Sequence, residues 1–110
     1  MKIFEALRKI RELERAQLPF LKSLIDLDII VEIGYAEEQK QPLTPKQLFL
    51  LDLGSLTTVR RRLTKLVGQG IVKRRPNASD QRSAILTISA PSQRLLTKYG
   101  TALTAICAAI

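Results

Sequence analysis

SLTTVRRRLTKLVGQGIVKRR, residues 55–75, decides the fold of this chain. Leu56, Val59, Leu63, Leu66 and Val67 recur at helical spacing and share one stripe, so residues 55–69 predict an amphipathic helix. At about 100° per residue, Thr57, Thr58, Arg61 and Lys65 point away from that stripe, and Arg60 and Arg62 flank it. Ser55 supplies a hydroxyl cap at the start. Gly70 supplies a left-handed stop, with Ile71 making an apolar contact just beyond it. The stretch therefore encodes a helix with one apolar face, one basic-and-hydroxyl face and defined ends.

Upstream, Pro42-Leu43-Thr44-Pro45 reads as a turn or a very short strand. Thr44 before Pro45 is a helix start, a capping hydroxyl followed by proline at the first helical position. A short helix over residues 45–51, a tight turn over 52–55 and the helix that follows make a helix-turn-helix. Residues 20–38 predict another helix. Its apolar residues (Leu21, Leu24, Ile25, Leu27, Ile30, Val31) nearly surround the axis, as in a central core helix. Before Pro19, Ile3, Leu7, Ile10 and Leu13 mark an amphipathic helix with Glu5/Lys9 and Arg8/Glu12 pairs on its wet side.

Downstream, residues 71–75 and 84–89 are strand-like. The turn-forming residues 76–83 join them into a β-hairpin with a polar tip. Ala90-Pro91-Ser92 opens a last helix carrying Leu95, Leu96, Tyr99, Leu103 and Ile106. The expected fold class is mainly α with a small β-hairpin wing (α+β). It is a single winged helix-turn-helix domain over residues 1–110, with an N-terminal helix (1–18), a core (20–89) and a C-terminal helix (90–110).

The net charge of +8 is concentrated. Residues 60–82 hold eight basic side chains (Arg60, Arg61, Arg62, Lys65, Lys73, Arg74, Arg75, Arg82) against Asp80 alone, whereas residues 1–59 net −1. A basic block is sometimes only a solvated face, but segregation onto two adjacent elements indicates a polyanion footprint. Aromatic residues make up only 5% of the chain, too few for a platform that stacks single-stranded bases, so duplex DNA is the expected partner.

Other classes lose ground. No histidine is present, which removes the commonest general base and metal ligand. With one cysteine, a zinc site would need mostly carboxylates. No phosphate-cradling or nucleophile-elbow motif occurs. Neither enzyme activity, a metal nor a cofactor is expected. The N-terminus interleaves charge with apolar residues, unlike a secretory leader. Residues 99–110, the longest uncharged tail, fall short of the roughly 20 residues of a membrane helix. The lone Cys107 fits a reducing cytoplasm; it is expected to be an apolar buried residue rather than a redox sensor.

A helix such as 55–69 offers its N-terminal residues to base edges in the major groove. Ser55, Thr57 and Thr58 are candidates for bases or phosphates. Arg61 suits a bidentate contact to guanine, worth about 1–3 kcal/mol of discrimination. Arg60, Arg62 and Lys65 suit phosphates. Lys73, Arg74 and Arg75 extend the footprint onto the first strand. Arg82 at the hairpin tip suits a narrow minor groove, with Asp80 orienting its guanidinium or, alternatively, bonding its own turn backbone.

Over roughly residues 43–99 the chain resembles the MarR-type (multiple antibiotic resistance) transcription regulators. The resemblance rests on Leu43-Thr44-Pro45, on Thr58-Val59 followed by Leu63 and Leu66, on Gly70-Ile71-Val72-Lys73-Arg74, and on Asp80-x-Arg82 with Leu86-Thr87 downstream. It implies a dimeric regulator with the wing arginine in the minor groove and the aspartate supporting it. Two features depart from the family pattern: Arg62 stands where an apolar residue is usual, and the last helix is short for a dimerisation helix.

Ile3, Phe4, Leu7, Ile10, Leu103, Ile106 and Ile110 are the expected isologous dimer interface; the alternative is a monomer in which the terminal helices pack on the core. Asp26/Asp28 and Glu37/Glu38 read as solvated helix surface, because residues one or two apart on a helix point in different directions. The expected function is sequence-specific transcription regulation. Non-specific DNA binding by an architectural or replication-accessory protein, and a protein-interaction module, are the alternatives. No membrane partner is expected, and any small-molecule effector is left open.

Overall fold

The computed structural model describes residues 1–78 and 82–110. Five helices and a two-stranded antiparallel sheet follow in the order α1 (Ile3–Gln17), α2 (Leu24–Glu38), α3 (Pro45–Phe49), α4 (Leu56–Gly68), β1 (Val72–Pro76), β2 (Ala84–Ile88) and α5 (Ala90–Ala108). The fold is a winged helix-turn-helix, as the capped helices and the hairpin predict. Its contacts separate into two compact units, residues 23–89 and the terminal segments 1–22 with 90–110.

In the 23–89 unit, α2 begins at Leu24 rather than at residue 20. Pro19 cannot continue a helix, and the Asp26 carboxylate accepts the Ser23 backbone N–H at 3.1 Å, which fixes the start at Ser23. Nor is α2 buried all round. Ile29, Ile30, Ile33 and Ala36 are inside, but Leu24, Val31 and Tyr35 are exposed. The core adds Leu48 of α3, the Val59/Leu63/Leu66 stripe of α4, and Val72, Leu86 and Ile88 of the hairpin. Burying each such side chain stabilises the unit by about 1.5–3 kcal/mol.

The hairpin pairs Val72 with Ile88, Arg74 with Leu86 and Pro76 with Ala84. The Leu86 N–H donates to the Leu43 carbonyl at 2.8 Å, so the segment before α3 adds one strand-like bond on the far edge of β2. At the head of α3, Thr44 Oγ1 accepts the Gln47 N–H (3.2 Å) and Gln47 Oε1 accepts the Thr44 N–H (2.9 Å). This reciprocal box satisfies two otherwise orphaned donors.

In the terminal unit α1 packs on α5. The Tyr99 hydroxyl donates to Glu14 Oε1 at 3.1 Å and the N-terminal ammonium donates to the Ala109 carbonyl at 3.0 Å. Arg8 pairs with Glu12 and Arg11 with Glu14 along α1. Thr97, Thr101 and Thr104 each return their hydroxyl to the carbonyl four residues earlier, which lets α5 carry hydroxyls without unmet donors. Phe4 is 81% exposed, and Ile3, Leu7, Leu95 and Ile110 are exposed as well. Cys107, expected to be buried, is exposed, because none of the described residues covers the end of α5, where residues 107–110 are all exposed. Among the described residues, no helix is long and apolar enough to cross a membrane.

Candidate nucleic-acid interface

α4 is held at both ends by the residues its sequence supplies. Ser55 Oγ accepts the Thr58 N–H at 3.2 Å and donates to Thr58 Oγ1 at 2.8 Å. The Thr58 hydroxyl proton is thereby left available for an outside acceptor. At the far end Gly70 sits at φ 74°, with its N–H on the Val67 carbonyl and the Ile71 N–H on the Leu66 carbonyl, both at 3.0 Å. That is the Schellman closure, which requires a residue tolerant of positive φ.

Between those ends the two faces separate, although Leu56, expected on the buried stripe, is 49% exposed in the first turn and Val67 is only half-buried. Val59, Leu63 and Leu66 are buried, while Thr57, Arg60, Arg61, Thr64 and Lys65 are exposed. The Arg60 guanidinium lies 5.4 Å from the centre of the Phe49 ring of α3, so it is steadied from beneath by a cation–π contact. Gly54, just before α4, allows close seating on α2: a Cβ there would lie 3.0 Å from Ile25 Cδ1.

The first strand divides its cations. Alternation along a strand puts Lys73 and Arg75 on one side of the ribbon and Arg74 on the other. All three are exposed, and Arg75 Nε donates to Thr87 Oγ1 at 3.2 Å. At the wing tip the Asn77 N–H bonds the Ser83 carbonyl (3.3 Å) and Asn77 Nδ2 bonds Ser83 Oγ (3.1 Å), closing the loop next to an exposed Arg82. Asp80 lies outside the described residues.

Three expectations require correction. Glu37, read as solvated surface, is half-buried, because its carboxylate turns to the hairpin and accepts the Ile88 N–H at 2.8 Å. Asp26 is fully buried rather than solvated, and Arg62 turns inward rather than toward phosphates. Arg62 Nε lies 2.5 Å from Asp26 Oδ1 and Nη2 lies 3.0 Å from Oδ2, a two-pronged ion pair with only 15% of the arginine side chain exposed. The physical reason is that Arg62 borders the apolar stripe of α4, so its stem is drawn inward and its head needs a buried counter-charge. Ser23-x-x-Asp26 at a helix start and a charged residue beside an apolar stripe were the signals for it. Among the described residues no cluster suits a metal ion.

No family model matches the chain, and no curated protein matches it. Solved structures do. Transcriptional regulator Tm0710 from Thermotoga maritima is 23% identical, with a TM-score of 0.68 over 94% of this chain and 70% of that one. A mutant MepR from S. aureus is 15% identical, with a TM-score of 0.66 over 96% and 80%. A mutant MarR from E. coli, complexed with operator DNA, is 20% identical, with a TM-score of 0.59 over 89% and 68%. At these identities the likeness establishes the fold, the winged helix of MarR-type regulators.

Proposed function

We propose that this chain is a sequence-specific, duplex-DNA-binding transcription regulator that acts as a homodimer in the cytoplasm. The observation that carries this reading is the two-faced α4: Thr57, Arg60, Arg61, Thr64 and Lys65 lie exposed opposite the buried Val59, Leu63 and Leu66, on a helix fixed at both ends. Exposed hydroxyls and guanidinium groups on a rigid helix are the groups that read base edges and grip phosphates in the major groove. Tm0710 and MarR, which share the fold, are a transcriptional regulator and a protein crystallised on operator DNA.

In this reading Ser55, Thr57, Thr58 and Arg61 face the bases, and Arg60 and Lys65 face phosphates. Lys73, Arg74 and Arg75 broaden the footprint, and Arg82 enters the flanking minor groove with Asp80 supporting it. Residues 20–89 form the DNA-binding part. Residues 1–18 and 90–110 provide the dimer contact through Ile3, Phe4, Leu7, Ile10, Leu103, Ile106 and Ile110; the exposure of Phe4 and Ile110 supports this, because such side chains gain from burial against a second copy. The test is Arg82→Ala, measured by fluorescence anisotropy on a bound duplex. Weaker binding with an unchanged thermal midpoint supports the minor-groove role, and unchanged affinity contradicts it.

A further inference from the structure

We infer that Asp26 and Arg62 are positioning residues that set the rotation of α4 about its own axis, and so decide whether its exposed face can read sequence; the inference rests on the DNA-binding reading above. The Asp26 carboxylate is placed before Arg62 reaches it. It sits in the first turn of α2, where the helix dipole favours an anion, and it accepts the Ser23 N–H at 3.1 Å. Arg62 then meets both carboxylate oxygens side-on, through Nε and Nη2. A planar fork on a planar acceptor admits one relative orientation, whereas an apolar contact at residue 62 would tolerate sliding.

Gly54 permits a close approach beside that pair. Its approach to Ile25, the residue beside Asp26, seats the start of α4 on the same turn of α2. With Arg62 forked on Asp26 and the start of α4 seated close to the same turn of α2, Arg61 and Lys65 are presented at one angle. The outer surface of a helix lies about 5–6 Å from its axis, so a rotation of about 20° displaces it by about 2 Å. That exceeds what a hydrogen bond to a base edge tolerates.

The test uses the full chain and two short duplexes: the sequence most enriched by the wild-type protein from a random-duplex pool, and a scrambled duplex of the same composition. The informative variant is the double replacement Asp26→Leu with Arg62→Met, because exchanging a buried ion pair for apolar side chains of similar volume commonly preserves or raises stability. A thermal melt establishes that it is folded at the assay temperature. The expected result is a loss of about tenfold or more in affinity for the enriched duplex, with little change on the scrambled one and an unchanged salt slope there. Asp26→Asn should show the same pattern.

If Arg62 instead gripped phosphate, Asp26→Asn would release it and strengthen binding to both duplexes. The double variant would then weaken both equally and lower the salt slope by about 1. Either of those results, or wild-type discrimination in the folded double variant, overturns the inference while leaving the DNA-binding reading intact. Failure of the wild-type chain to bind either duplex overturns both.

Discussion

The Glu37 carboxylate of α2 accepts the backbone N–H of Ile88 in β2 at 2.8 Å. A helix side chain thus completes the hydrogen bonding of a strand whose residue is almost wholly buried, and it ties the base of the wing to the central helix. Glu37→Ala leaves that N–H without its acceptor and should cost about 1.5–3 kcal/mol, with Glu37→Gln losing less because an amide oxygen still accepts. Urea unfolding of both variants measures the difference, and equal loss in the two would contradict the assignment.

Two helix ends make opposite predictions. Gly70 and Lys40 both occupy positive-φ positions, at 74° and 60°, just past α4 and α2. Gly70→Ala should destabilise by about 1–2 kcal/mol through backbone conformation alone, since no atom lies within 4 Å of the added Cβ. Lys40→Gly should stabilise by up to about 1 kcal/mol, the relief being partly offset by glycine's freedom in the unfolded chain. Thermal melts of the pair should move in opposite directions.

Arg61 and Lys65 are both exposed on α4, but their roles should separate on DNA. Arg61→Ala should cost about 1–3 kcal/mol on a preferred site and relax the preference at one base pair. Lys65→Ala should weaken all sequences alike and reduce the salt slope by about 1. Parallel titrations on a preferred and a scrambled duplex distinguish them.

Burial, together with its hydrogen bond to Glu14, holds the Tyr99 phenol above its usual value of 10.0. The folded state therefore keeps the proton where the unfolded chain releases it. This contribution to stability is complete below pH 10 and is lost as the pH rises through the folded-state value. Tyr99→Phe should remove the component while leaving other alkaline effects, so the wild-type and variant stability curves should converge at high pH. Curves that stay parallel through that range would contradict it.

Local chemistry made much of this legible in the sequence. Thr44, Ser55 and Gly70 announce the helix ends because capping involves residues only two to four positions apart. The stripe of α4 and the hairpin follow from spacing alone. Each half of the Asp26–Arg62 pair carries a local signal, but their pairing does not, because the partners are 36 positions apart and meet only once α2 packs on α4. The start of α2 is hidden for a related reason: apolar residues on both sides of Pro19 and Ser23 mask the break. The exposure of Cys107 likewise depends on how α5 sits, which an apolar pattern does not specify.

Sequence-specific recognition of duplex DNA by a dimer can be tested by capturing genomic DNA fragments on the purified protein at physiological salt and sequencing what is retained. Enrichment of an inverted repeat with half-sites about 10 bp apart is the expected result. Retention without a shared sequence, lost steeply as salt rises, would mean that counterion release alone drives binding. That result, or no retention at all, would contradict sequence-specific recognition.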